Sequence, residues 1–203
     1  MAMPIFWLCL VFGIYVAPIN AEETEGVKTP PGEAALPTPE VILQSGITAL
    51  TEQFRRSSDP KDILAFLDKE IARNFDFTHM GRLAAGYYWN SLDESQRATF
   101  EQQFRQMFFQ SLARQISNLG NPRIEFYPAR PGSQPNEITV SARVMQPQGI
   151  PILMDFRFYR SEQGWKVFDV MADGSSAVLY YRHFYNDLVA RYGLNALLNS
   201  ANP

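Results

Sequence analysis

Hydrophobic positions recur first at helical spacing, then at every second residue, then at helical spacing again. Between residues 40 and 57, Leu43, Ile47, Leu50 and Phe54 mark one face of an amphipathic helix. Asp59-Pro60 supplies a cap and a first-turn proline, and Ile63, Leu67 and Ile71 carry a second helix to about Arg73. Phe75 and Phe77 flank Asp76 in a short link. Thr78 can cap a third, short helix through Leu83 and Ala84 that ends near Gly86, and the cluster Tyr87-Tyr88-Trp89 follows. Ser91 with Glu94 fits a capping box and opens the longest helix, to about Leu119. Its stripe is Phe100, Phe104, Phe108, Leu112 and Ile116, widened by Met107 and Phe109. Arg97, Glu101 and Arg105 form an i, i+4 ladder on another face, and Gly120-Asn121-Pro122 ends the helix.

The period then drops to two. Ile124 and Phe126 alternate with Glu125 and Tyr127; Ile138, Val140, Ala142 and Val144 alternate with Thr139, Ser141, Arg143 and Met145. Ile152, Met154, Phe156 and Phe158 alternate with Leu153, Asp155, Arg157 and Tyr159, and a fourth strand runs from Trp165 to Val170 after the turn at 161–164. Short connections between four consecutive strands predict an antiparallel sheet with one apolar face. Arg143 and Arg157 are expected on the other face. Asp173-Gly174-Ser175 breaks the sheet, and Ala177, Tyr181, Phe184 and Leu188 form a last long stripe before Gly193 and a short helix at Leu194–Leu198. Helices, then sheet, then helix makes an α+β fold: a four-stranded antiparallel sheet with helices on one face.

The N-terminus changes the domain picture. Residues 5–19 carry no charge and suit a signal-peptide core, with small residues at Ala17 and Ala21. A buried N-terminal element and an uncleaved anchor are the alternatives. Residues 1–21 are expected to be a signal peptide, 22–39 a flexible Pro-rich leader, and 40–200 the folded domain. Cleavage after Ala21 would remove Cys9, the single cysteine, and leave a fold held by packing alone. Residues 22–60 hold seven acids against three bases, whereas the rest holds fifteen bases against fourteen acids. The folded body is therefore nearly neutral, and the whole chain's formal charge of −3 argues against a dedicated nucleic-acid binder.

Chemistry is thin. The chain has two histidines, His79 and His183, and no GxSxG, HExxH, P-loop or GxGxxG pattern. No metal and no catalytic residue is expected. Asp155, Asp169 and Asp173 are more simply partners for Arg157 or Arg182 than a cation site. The apolar excess is the unusual feature: 46% of residues are hydrophobic and 13% aromatic. The aromatic stripes fit either a solid core or a deep apolar cavity, and periodicity does not choose between them.

Several segments carry a resemblance. Gly164-Trp165-Lys166-Val167-Phe168-Asp169-Val170 is followed by Gly174-Ser175-Ser176, by Tyr181-Arg182-His183-Phe184, and by Tyr192-Gly193-Leu194-Asn195-Ala196-Leu197-Leu198. Phe75-Asp76-Phe77, Ala85-Gly86-Tyr87-Tyr88-Trp89 and the run from Gln96 through Phe100 to Phe104 join them. Together these resemble the MlaC-like toluene-tolerance family, over about residues 40 to 200. The pattern departs from that family at Ser176-Ala177 and at His183.

The resemblance implies a periplasmic phospholipid carrier with a curved sheet related to the NTF2-like class. Such a carrier holds acyl chains between sheet and helices and maintains outer-membrane lipid asymmetry. The implied partners are phospholipid as bound ligand, an outer-membrane MlaA-like lipoprotein complex and an inner-membrane MCE–ABC transporter complex. No cofactor, no nucleic acid and a monomeric state are expected. The alternatives are a hopanoid-associated (HpnM-like) carrier, and an NTF2-like enzyme pairing His183 with Asp169 or Asp173. A buried methylene is worth about 0.8 kcal/mol, so two tails of roughly 30 carbons are worth about 25 kcal/mol. The bilayer offers the same reward, so a carrier must match it with a large dry cavity. The residues expected to line that cavity are Leu83, Trp89, Phe104, Phe108, Met154, Phe156, Phe158, Val170, Val178, Tyr181 and Phe184. Asp169 and Arg182 are expected to act structurally, as a possible ion pair.

Overall fold

Each helix begins on a side-chain cap that the local sequence supplies. The computed structural model describes residues 36–118, 122–145 and 149–199. The signal segment, the leader to residue 35, Cys9 and the Gly120-Asn121 helix stop lie outside the described residues. Helix α1 spans Pro39–Arg56, capped by Thr38, whose hydroxyl accepts from the Val41 amide. It is lightly held, since only Pro39 and Leu43 are buried along it. Asp59 caps α2 (Pro60–Phe66) by accepting from the Lys61 amide at 2.8 Å.

The predicted second helix to Arg73 does not run straight. After α2 the backbone widens into a π turn at Leu67–Ile71, where the Ala72 amide reaches five residues back to Leu67, and then tightens into a 3₁₀ turn at Ala72–Asn74. The widened turn keeps Ile63 and Leu67 in the core while setting Ile71 against Gly46 of α1.

Helix α3 (Phe77–Ala85) is capped by Asp76 rather than Thr78; the Asp76 carboxylate accepts from the His79 amide at 2.8 Å. The Thr78 hydroxyl instead donates to Glu101. The helix stops at Gly86, whose φ of +56° suits a residue without a Cβ, and whose Cα lies against the Arg182 stem. A 3₁₀ segment, Gly86–Ser91, leads to α4 (Glu94–Asn118). Here too the cap shifts. Asp93 and Gln96 bond each other's amides reciprocally, both at 2.9 Å, two residues after the predicted Ser91–Glu94 box. The Arg97–Glu101–Arg105 ladder is not formed either, because each member is used elsewhere. Arg97 covers Trp89, Glu101 takes Thr78, and Arg105 pairs with Asp68 at 2.7 Å.

The sheet is curved, antiparallel and six-stranded: β1 (Arg123–Phe126), β2 (Arg130–Pro131), β3 (Glu137–Met145), β4 (Ile152–Ser161), β5 (Gly164–Ala172) and β6 (Ser175–Ser176). The order is β1-β3-β4-β5-β6, with β2 also on β3. The expected four strands correspond to β1, β3, β4 and β5. The two additions are two residues long, too short to show an alternation. Asp173 (φ +47°) and Gly174 (φ +81°) form the tight turn that folds β6 back onto β5.

A bulge opposite Arg157 and Phe158 gives β5 an extra residue. Phe156 then faces Val170 and Phe158 faces Val167, so two valines three apart share the inner face. Both sheet edges are occupied or charged. Phe75 bridges Val167 along β5, with the Asp76 amide donating to the Val167 carbonyl at 2.9 Å. The β1 edge carries the ion pair Arg123–Glu125. Helix α5 (Ala177–Tyr192), capped by Ser176, and a closing 3₁₀ turn at Leu194–Leu198 complete the order.

Candidate functional site

The aromatic residues of α3, α4 and α5 meet one another. Phe77 lies against Phe104, Phe108 and Phe109 with ring centres 5.1 to 6.3 Å apart. Phe100 meets Tyr185 edge-on at 4.8 Å, and Phe104 meets Tyr181 at 5.2 Å. These are attractive edge-to-face spacings, which leave no room between rings. Phe100, Phe104, Phe109 and Tyr185 are fully buried. Gly81 lets α3 come close: a Cβ there would lie 3.6 Å from the Phe100 ring. This region is solid.

The empty space lies elsewhere. A cavity of about 230 Å³ sits between the inner face of the sheet, α1 and the second half of α4. From α1 it is walled by Leu43, Ile47, Leu50 and Phe54, and from α4 by Leu112 and Ile116. The sheet contributes Ile124, Ala142, Val144, Ile152, Met154, Phe156, Phe158, Val167 and Val170. Leu67, Ile71, Asn74 and Phe75 close it near the π turn. Its few polar members are Thr51, Asn74 and Gln115. Outside it, between α1 and the α2–π segment, runs a larger open groove of about 810 Å³.

Of the eleven residues expected to line a cavity, Met154, Phe156, Phe158 and Val170 do so. The other seven are not on its wall. Trp89, Phe104, Phe108, Val178 and Tyr181 are buried in the core, and Phe184 packs on Tyr185 at 5.2 Å. Leu83 packs at the edge of that core, its carbonyl taken by Arg182. The α1 face, the π-turn residues and Leu112 with Ile116 were not among the expected residues. Leu112 and Ile116 continue the same stripe as Phe104 and Phe108, and the change from aromatic to aliphatic is the signal that could have marked them.

The polar residues are structural. Asp169, on the bulge, is 2% exposed. It accepts from the Ser176 hydroxyl at 2.6 Å and from the Val178 amide at 3.2 Å, at the start of α5, where a helix favours negative charge. Its cation is Arg157, at 3.5 Å, which also reaches Glu137 at 3.6 Å. The expected Asp169–Arg182 pair does not form, because Arg182 donates to the Leu83 carbonyl at 2.7 Å. Arg143 lies over the Tyr127 ring, and neither it nor Arg157 lines the cavity.

The acid–base reading does not find its geometry. His183 is exposed on α5, Asp169 is buried and used as above, and Asp173 accepts from the Leu153 amide at 2.9 Å. A second cluster, Asp76–His79–Tyr159, lies beside Phe168, off the cavity wall. The Tyr159 phenol donates to Asp76; burial first, then that bond, push it up to about 12. Burial, helped by the Arg82 charge, holds His79 below its usual value. Burial likewise raises the Tyr181 phenol. Among the described residues no group of three or more His, Cys, Asp or Glu could hold a metal, and no helix is long and apolar enough to cross a membrane.

Comparison with known proteins bears on the family and the fold. A family model described as "MlaC protein" matches residues 43–202. The fold matches that of a phospholipid-binding protein from Ralstonia solanacearum, solved in complex with a phospholipid. That match has a TM-score of 0.70 and 20% identity, over 79% of this chain and 92% of the other. No curated protein sequence matches the chain.

Proposed function

Because the chain belongs to the MlaC protein family, we propose that it is a periplasmic phospholipid carrier that needs no catalysis. The observation that carries this reading is the cavity, whose wall is almost wholly hydrocarbon from α1, α4 and the sheet. Such a wall offers acyl chains a dry environment equal to the one they leave, so transfer in either direction is nearly balanced. A deeply buried charge on the wall would oppose occupation, and none is present among its described residues.

At about 230 Å³ the cavity is smaller than the ~300–1,000 Å³ usual for drug-sized ligands, and a two-chain phospholipid is larger still. Loading therefore separates the walls. Helix α1 is the wall that yields, since its inward residues Ile47, Leu50 and Phe54 are only half-buried and two of its eighteen residues are fully so. In this reading residues 1–21 direct export and are removed, residues 22–39 are a leader, and the domain works as a monomer. It passes lipid between an outer-membrane lipoprotein complex of the MlaA type and an inner-membrane MCE–ABC transporter.

The test is lipid extraction and native mass spectrometry on protein recovered from the periplasm of expressing cells. The expected result is a monomer lacking its first residues and carrying phospholipid that survives gel filtration. A hopanoid in the extract would move the chain to the hopanoid-associated branch. Protein without extractable lipid, and without uptake from vesicles, would end the carrier reading.

A further inference from the structure

The open groove between α1 and the α2–π segment shares four wall residues with the cavity: Ile42, Gly46, Ile71 and Asn74. These four residues therefore have one surface toward each space. The contact is thin at Gly46, where α1 presents no side chain and a Cβ would sit 3.7 Å from Ile71 Cδ1. Ile71 ends the π turn, and such turns concentrate at functional sites.

The two spaces differ in chemistry. The cavity is hydrocarbon, whereas the groove is edged by three cations, Arg56, Lys69 and Arg73, and three acids, Glu52, Asp62 and Glu70. Charges of both signs on an exposed rim suit a phosphate together with an ammonium or polyol. Glu52 is held by Arg55 at 2.6 Å, but the pairs at Glu70 are loose: Lys69–Glu70 is 3.6 Å and Arg73–Glu70 3.8 Å, on exposed side chains. A phospholipid cannot bury its phosphate with its tails, so the headgroup must rest where hydrocarbon wall gives way to polar rim.

Building on the carrier reading above, we infer that the α1–α2 groove is the headgroup site and the entry portal, with acyl chains passing into the cavity between Gly46 and Ile71. The headgroup sits among the groove charges, and α1 moves away from the π turn to admit the tails.

A thiol placed at the portal tests this. In the full chain with Cys9→Ser, Gly46→Cys is folded first and then modified with a bulky maleimide. Uptake of fluorescent phospholipid from phosphatidylethanolamine–phosphatidylglycerol vesicles should slow more than tenfold. The same label on Gln102→Cys, exposed on α4, should change nothing. In protein loaded before labelling, the plug should trap the lipid, leaving the load unchanged and slowing release tenfold. Unchanged uptake at Gly46, or slowing only with a label at Gln115→Cys, overturns the portal. Expulsion of preloaded lipid by the Gly46 label makes that residue cavity wall only and also overturns it. For the headgroup, Arg56→Glu with Lys69→Glu should lower phosphatidylglycerol loading about tenfold and leave diacylglycerol loading unchanged. Equal loading of both lipids overturns the headgroup site. Unlabelled wild-type protein that takes up no phospholipid refutes the carrier reading itself, a result separable from all of these.

Discussion

Helix α4 passes through two different interiors. As far as Phe109, the rings of Phe100, Phe104, Phe108 and Phe109 pack against α3 and α5. Over its second half, Leu112 and Ile116 face an empty space under the sheet. Both halves are apolar, yet one is solid and the other hollow. Aromatic side chains from three helices converge and fill the space they create, while the aliphatic wall faces only a lightly held α1. A hollow therefore needs a rigid neighbour, and the aromatic block supplies it. Solid packing and open space are divided between the two ends of one helix.

The comparison breaks most visibly in the solid half. Phe104→Ala should cost about 3–5 kcal/mol, because its close-packed neighbours cannot collapse into the gap. Denaturant unfolding measures it, and a loss under 1 kcal/mol would mean that this region is not the rigid block. The second test is in the hollow half. Phe156→Asp places a carboxylate on the cavity wall opposite Val140 and Val170. Lipid should be lost, while water entering the cavity solvates the charge and holds the stability loss to about 1–3 kcal/mol, below that of Phe104→Ala. Circular dichroism, melting and lipid extraction on that one variant separate the outcomes; unfolding would make the hollow half a core.

A third test uses pH. His79 has a folded pKa below its unfolded value of 6.5, so its neutral form is favoured in the fold. The stability it contributes is present above pH 6.5 and is lost as pH falls through the lowered folded value. His79→Gln should flatten that acid-side slope in thermal melts. An unchanged slope would assign it to other groups. The smallest effect is expected at His183. As an exposed residue, its change to Ala should alter stability by less than about 0.5 kcal/mol. Lipid load and transfer should match wild type; lost transfer with normal load would restore a chemical role.

The helices and four long strands are legible in the sequence because each buries a stripe long enough to repeat. Cap positions slipped by two residues at Asp76 and Asp93, since Ser, Thr and Asp compete for that role and only tertiary contacts decide. The π turn left no periodic trace, and β2 and β6 are too short for one. The site was half legible. Alternation marked Met154, Phe156 and Phe158 as one sheet face, and the cavity uses it. The aromatic stripe pointed to Phe104, Phe108 and Tyr181, where rings that could line a space instead fill it. Whether facing stripes touch depends on the distance between helices, which a single stripe does not encode. The bulge leaves no trace in the sequence either, and without it the pattern does not choose between Arg157 and Arg182 as the partner of Asp169, which pairs with Arg157.

The occupied sheet edges bear on solubility. A protein with an unfilled interior exposes greasy surface each time its walls part, and an open strand edge beside it would invite strand-on-strand association between copies. Along β5 that edge is taken at one end by Phe75 and at the other by β6, and β1 presents a charged pair on four residues. Two short and inconspicuous pieces of backbone thus act as blocking groups against polymerisation. Deleting the Phe75 bridge or the Asp173-Gly174 turn should show itself first as aggregation of the empty protein, before any change in what the cavity holds.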